Sequence, residues 1–144
     1  MVENALEQNI ELKMHPDQDK GMRKFKTYDN FYVTEKDYKE LKDCKLYRLM
    51  DCFNFKKKKN SFVFDSLKYE KYKEKGDRII HWLPVQKDLA KVEILMPNKE
   101  VKKGLAEPMV EDLKVGDIIQ FARFGFCKLD KKEKGKLVFW YTHD

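Results

Sequence analysis

Short apolar segments rich in β-branched and aromatic residues recur between polar turns at 30–33, 45–55, 61–64, 78–83, 91–96, 117–129 and 136–141. That spacing predicts a mainly β protein. In the last two segments the alternation puts Ile119, Phe121, Leu137, Phe139 and Tyr141 on core faces, and the polar run from Asp130 to Gly135 is expected to join them as a closing hairpin. A second hairpin is expected between Arg48–Phe55 and Ser61–Phe64, turning through four lysines, Lys56 to Lys59, and Asn60. Their like charges must project into solvent, which predicts a mobile loop. Helical signals are few. Thr34 precedes Glu35-Lys36-Asp37, so its hydroxyl can cap a short helix running to Leu41 while Asp37 replies from the third position. Ser66 similarly opens 67–75, which Gly76 would end, and Pro108 suits the start of another brief turn. Many short strands with two or three short helices predict closed antiparallel β-barrels, because closure removes exposed sheet edges.

The chain has 144 residues, enough to close a core without metals or disulfides, and 13% of them are aromatic. It carries 31 Lys and Arg against 25 Asp and Glu, a net charge of +6, which favours polyanionic partners without proving one. No apolar run approaches the roughly 20 residues of a membrane span and no signal sequence opens the chain, so a soluble cytoplasmic protein is expected. No phosphate-binding glycine loop occurs, and His15, His81 and His143 share no metal-ligand spacing. Cys44, Cys52 and Cys127 form no C-x-x-C pair, so reduced, mostly buried thiols are expected. What remains is basic and amide side chains interleaved with rings, at 21–26, 47–48 and 120–126. Single-stranded RNA recognition needs that mixture: rings stack on splayed bases while Arg and Gln bind base edges or phosphates. A barrel with Arg and Lys on its solvated face would show the same alternation.

Several ordered segments carry a resemblance. Gly104-Leu105-Ala106-Glu107-Pro108 and the stretch from Val115 to Asp130, with Gln120-Phe121-Ala122-Arg123-Phe124-Gly125 at its centre, resemble the C-terminal signature of the glutamyl- and glutaminyl-tRNA synthetases. Ile80-His81-Trp82 is similar to the family's I-H-W segment, and Met14-His15-Pro16, Gly21-Met22-Arg23 and Tyr32-Val33-Thr34 follow the family order. The resemblance covers about 11–144 and is closest in type to the archaeal and eukaryotic glutamyl enzymes. It implies a fold of two small closed antiparallel β-barrels, proximal and distal, over residues 1–144, with the closing hairpin at 115–144. It also implies anticodon recognition. The H-I-G-H-like and K-M-S-K-S-like motifs of the catalytic half have no counterpart here. The expectation is therefore a non-catalytic region of a glutamate–tRNA ligase with no cofactor of its own, ATP and magnesium belonging to the catalytic domain. The implied partners are that domain and tRNA with a glutamate anticodon, with glutamine tRNA also open; a membrane is not among them.

By the same resemblance the family's base-reading Gln falls on Gln120, whose amide can donate to and accept from the middle uridine, and Arg123 is suited to a phosphate or a stacked base. Arg48 matches the Arg that contacts the first anticodon nucleotide, with Met50 where the glutaminyl enzymes carry a further basic residue. Arg23, Lys24, Lys39 and Lys45 are candidate backbone contacts. Glu40 aligns with an Arg that reads the third nucleotide in the glutaminyl relatives, and its carboxylate would suit the exocyclic amine of cytosine. His81 and Trp82 are expected to hold architecture, and Phe124 and Phe126 to be either stacking platforms or core. Two alternatives stay open: a glutaminyl-tRNA synthetase fragment, and a free-standing protein-interaction barrel.

Overall fold

The structure is a computed structural model that describes residues 1–13 and 21–144; Met14-His15-Pro16 lies outside them. The chain divides into two compact units, Met1–Val85 and Gln86–Asp144.

In the first unit, strand β1 (Gln8–Lys13) pairs antiparallel with β2 (Met22–Thr27), and a two-residue strand β3 (Phe31–Tyr32) leads to helix α1 (Glu35–Glu40). Thr34 caps α1 as the sequence predicts: its Oγ1 accepts from the Asp37 amide at 3.1 Å and donates to the Asp37 carboxylate at 2.9 Å. Strands β4 (Leu46–Leu49), β5 (Asn54–Lys58) and β6 (Ser61–Ser66) form a meander, and helix α2 (Tyr69–Lys75) delivers β7 (Gly76–Ile80) parallel to β4. The sheet order is β6-β5-β4-β7, and a short β8 (Leu83–Pro84) pairs with β3. Leu41, Tyr47, Leu49, Phe53, Phe55, Ile80 and Trp82 fill the core. Phe31 stands edge-on between Phe53 and Trp82, at ring distances of 5.4 and 5.3 Å.

In the second unit, β9 (Ala90–Leu95) and β10 (Val101–Ala106) form a hairpin, a 3-10 turn spans Pro108–Asp112, and β11 (Ile118–Phe121), β12 (Gly125–Glu133) and β13 (Lys136–His143) complete a five-stranded sheet. Its order is β10-β9-β13-β12-β11, with β13 parallel to β9. Leu137 and Phe139 are buried with Val92, Ile94, Cys127 and Leu129, and Ile119, Phe121 and Tyr141 pack against them, as the alternation predicts.

The mainly β class holds, but the closed, purely antiparallel barrels do not. Strands β10 and β11 end the five-stranded sheet unpaired with each other, and each of the two larger sheets contains one parallel pair. Three local expectations are also corrected. The tetralysine segment is mostly strand, because β5 runs to Lys58 and leaves Lys59-Asn60 as the turn. Within it Lys56 pairs with Asp65 at 3.5 Å, and Lys57 donates to the Leu41 carbonyl at 3.0 Å. The expected six-residue loop at 130–135 shrinks to Lys134-Gly135, where Gly135 takes a φ of 81° and β12 continues past its bulge to Glu133. Finally, α2 starts at Tyr69 without a side-chain cap, since the Ser66 hydroxyl turns to Asp65 and Asn54. Gly76 ends α2 for a spatial reason: a Cβ there would collide with the Tyr72 ring.

Candidate nucleic-acid interface

Strand β2 carries Arg23 half-buried, its guanidinium 5.8 Å from the Phe25 ring. Phe25 in turn packs edge-on against Trp82 at 5.7 Å. Lys24 and Lys26 alternate to the solvent side of the same strand, where they pair with Glu11 at 3.6 Å and Glu7 at 2.8 Å. Such exposed pairs are weak, so a phosphate can displace the carboxylate at small cost. Lys45 is exposed in the turn before β4, and Lys39 is exposed on α1, where it pairs with Glu35 one turn earlier.

Arg48 sits differently. It is 8% exposed, and its Nη1 donates to Asn54 Oδ1 at 2.9 Å and to the Leu67 carbonyl at 3.0 Å. Asn54, fully buried, donates to Ser66 Oγ at 2.9 Å and to the Lys68 carbonyl at 2.8 Å. Together the two side chains hold the carbonyls immediately before α2. That fixes the approach of the chain to α2 and places the Tyr69 ring 5.7 Å from the Arg48 guanidinium. Glu40 is bound too: Arg78 on β7 makes an ion pair with its carboxylate and reaches Asp37 at 3.5 Å.

In the second unit Gln120 is exposed on β11 and Arg123 is exposed in the turn to β12, at a φ of 59°. Ile119 and Phe121 point to the core, so the alternation of a half-buried strand sends Gln120 outward. The two phenylalanines of this motif divide. Phe124 packs against the core, edge-on to Tyr141 at 5.8 Å, with the Lys102 ammonium 5.5 Å from its ring. Phe126 stacks face to face on His143, with ring centres 4.6 Å apart.

Trp82 is architectural, as expected; it is 7% exposed and donates from Nε1 to the Met50 carbonyl at 2.8 Å. Burial pushes the thiols of Cys52 and Cys127 up to about 11, which leaves neither suited to nucleophilic work. Two of the three thiols are thus buried, as the sequence leads one to expect, and the third, Cys44, is exposed at a φ of 62° in the turn before β4. Among the described residues no group of three His, Cys, Asp or Glu is placed to hold a metal ion, and no helix is long and apolar enough to cross a membrane.

Sequence reasoning passed over Arg78 and Trp140. Arg78 carried a signal only in three dimensions, through its ion pairs with α1. Trp140 was legible, because alternation along Leu137-Val138-Phe139-Trp140 sends it to the face opposite the buried Phe139.

Two family models match the chain, both described as tRNA synthetases class I (E and Q), anti-codon binding domain, over residues 1–70 and 79–130. Among curated relatives, the glutamate–tRNA ligase of Methanocaldococcus jannaschii is 37% identical over 99% of this chain and 26% of its own length. That of Methanobrevibacter smithii is 35% identical over 94% of the chain and 24% of its length, and that of Pyrococcus furiosus 34% identical over 99% and 26%. The chain thus spans about a quarter of the length of the relatives it matches. With two anticodon-binding models in tandem and near-complete alignment to these ligases, the chain belongs to the anticodon-binding domain family of the class I tRNA synthetases for glutamate and glutamine.

Proposed function

We propose that the chain binds the anticodon loop of tRNA bearing a glutamate anticodon, supporting the attachment of glutamate to that tRNA by a ligase whose catalytic domain is its partner. The observation that carries this reading is alignment to glutamate–tRNA ligases over almost the whole chain, in register with both anticodon-binding models. The two units take the places of the family's proximal and distal barrels. Gln120 reads the middle uridine; its exposure supports this, as a β11 amide free of the core can offer a donor and an acceptor to a base edge. Arg123, Arg23, Lys24, Lys39 and Lys45 supply phosphate or stacking contacts. Arg48 acts indirectly, by fixing the entry to α2 and the Tyr69 ring beside it. The setting is cytoplasmic, and binding needs no ATP or magnesium from this chain.

Titrating the chain with folded tRNAs that carry glutamate, glutamine and unrelated anticodons tests the proposal. Tightest binding to the glutamate anticodon is expected. Equal binding to all three would overturn it.

A further inference from the structure

The outer face of the second unit's sheet carries a continuous row that the proposed anticodon contacts do not use. Ile118 pairs with Lys128, Lys128 with Trp140, Trp140 with Leu95 and Leu95 with Val101, so one register line crosses all five strands. Directly paired residues share a face. All five point away from the core: Ile118 is 59% exposed, Trp140 50%, Leu95 39% and Val101 51%, and Lys128 is exposed as well. Apolar surface of this extent on a sheet face needs an explanation. Gln120 lies on the same face, two residues from Ile118 and next in register to Phe126, which stacks on His143. The row therefore runs beside Gln120, whose strand is two strands from β13, roughly 10 Å at ordinary strand spacing.

We propose that Trp140 and Lys128 form a nucleotide-stacking site, which takes an unpaired base of a bound RNA on the indole face and that nucleotide's phosphate on the ammonium. The proposal rests on the RNA-binding reading above and deepens it. Three observations favour RNA over another occupant. The row holds no carboxylate. Lys128 makes no ion pair among the described residues, and the Trp140 ring has no aromatic or hydrogen-bonding partner among them, so a cation and an open ring adjoin. A second copy of the chain fits poorly, because a two-fold contact centred on the row sets Lys128 against either Lys128 or Leu95 of the other copy, depending on the axis direction, and neither is an acidic group that could pair with it. Stacking on an aromatic ring tolerates any base, so this site would add affinity and hold the loop open while Gln120 supplies discrimination.

The test uses the whole chain and tRNA with a glutamate anticodon, comparing wild type with Trp140→Ala, Trp140→Phe and Lys128→Ala. Trp140→Ala is expected to bind about 5- to 100-fold more weakly with an unchanged salt slope, since stacking releases no counterions. Trp140→Phe should recover most of that loss. Lys128→Ala should lower the salt slope by about 0.7. Because Trp82 is buried, tRNA should quench the emission of wild type and leave that of Trp140→Phe nearly unchanged. If wild type binds tRNA with anticodon preference while Trp140→Ala binds equally well and emission is unquenched, this site is overturned and the RNA-binding reading stands. A fall in sedimentation coefficient of Trp140→Ala, with tRNA affinity unchanged, would overturn it in favour of self-association. Failure of wild type to bind any tRNA would overturn both readings together.

Discussion

Glu40 and Arg78 lie 38 residues apart in the chain, yet the guanidinium of one clasps the carboxylate of the other, tying the last residue of α1 to β7. The same guanidinium reaches Asp37, one turn earlier on the helix. The carboxylate that the sequence aligns with the reader of the third anticodon nucleotide is therefore already bound within the protein. Glu40→Gln is expected to leave the preference between cytosine- and guanine-ending anticodons unchanged, and Arg78→Ala to lower the melting temperature. Loss of that preference in Glu40→Gln, measured by competition between the two tRNAs, would return Glu40 to the role of base reader.

Gln120 and Lys24 should separate specificity from attraction. Gln120→Ala is expected to weaken tRNA binding by about 1–3 kcal/mol and to relax preference for a middle uridine, whereas Lys24→Ala should weaken all tRNAs alike. With about three to five basic contacts to the loop, log affinity should fall with log salt at roughly −0.7 per contact. Equal losses across middle-base variants in Gln120→Ala, at an unchanged melting temperature, would remove it from base reading.

Arg48 is expected to show itself first in stability. Arg48→Ala leaves buried Asn54 Oδ1 and the Leu67 carbonyl without their donor, a loss of about 1–3 kcal/mol in chemical denaturation. Arg48→Lys should not restore it, because the shorter lysine side chain cannot bring its ammonium to the point from which Nη1 donates to both oxygens. A variant as stable as wild type would show that the contacts before α2 are dispensable.

Acid should weaken the first unit through Asp65. Burial pushes its carboxyl up, but hydrogen bonds from Lys71 and Ser66 and the charges of Lys71 and Lys56 outweigh this and hold it below the usual value. The folded state thus binds the proton less readily than the unfolded chain. Its contribution is full above the unfolded value of about 3.9 and is lost as pH falls through the lower folded value. Asp65→Asn should flatten the melting-temperature profile below about pH 4; a profile identical to wild type would refute this.

Thiol accessibility gives a direct check on packing. At pH 8 a thiol reagent should modify Cys44 in the native chain and reach Cys52 and Cys127 only on unfolding, since burial raises both to about 11. Three fast-reacting thiols in the native protein, counted by mass, would contradict the two cores.

Local rules carried much of this fold into the sequence. The Thr34 cap, the inward set Leu137 and Phe139, and the outward Gln120 follow from periods and hydroxyl placement that depend only on neighbours. What escaped depends on residues far away. Lys56 and Lys57 look like a repelling loop until Asp65 and the Leu41 carbonyl meet them, and β5 then extends through the charges. Strand β2 has period-two alternation of Arg23, Phe25 and their neighbours, but its basic character masks the strand pattern beneath. The parallel pairs β4·β7 and β9·β13 have no local signature at all, which is why barrel closure was expected where the sheets stay open.

The position of β13, last in sequence but central in its sheet, bears on how the second unit assembles. The hairpin of β9 and β10 and the strand β11 precede it in synthesis, yet β9 has nothing on its inner edge until β13 arrives. Loop closure between β9 and β13 spans the whole unit, so it comes late and slowly compared with the hairpins. Nascent chains paused before Lys136 should hold two separate hairpin fragments rather than a growing sheet. A cut that removes β13 would accordingly split the unit through its middle, whereas loss of β10 would trim only one margin.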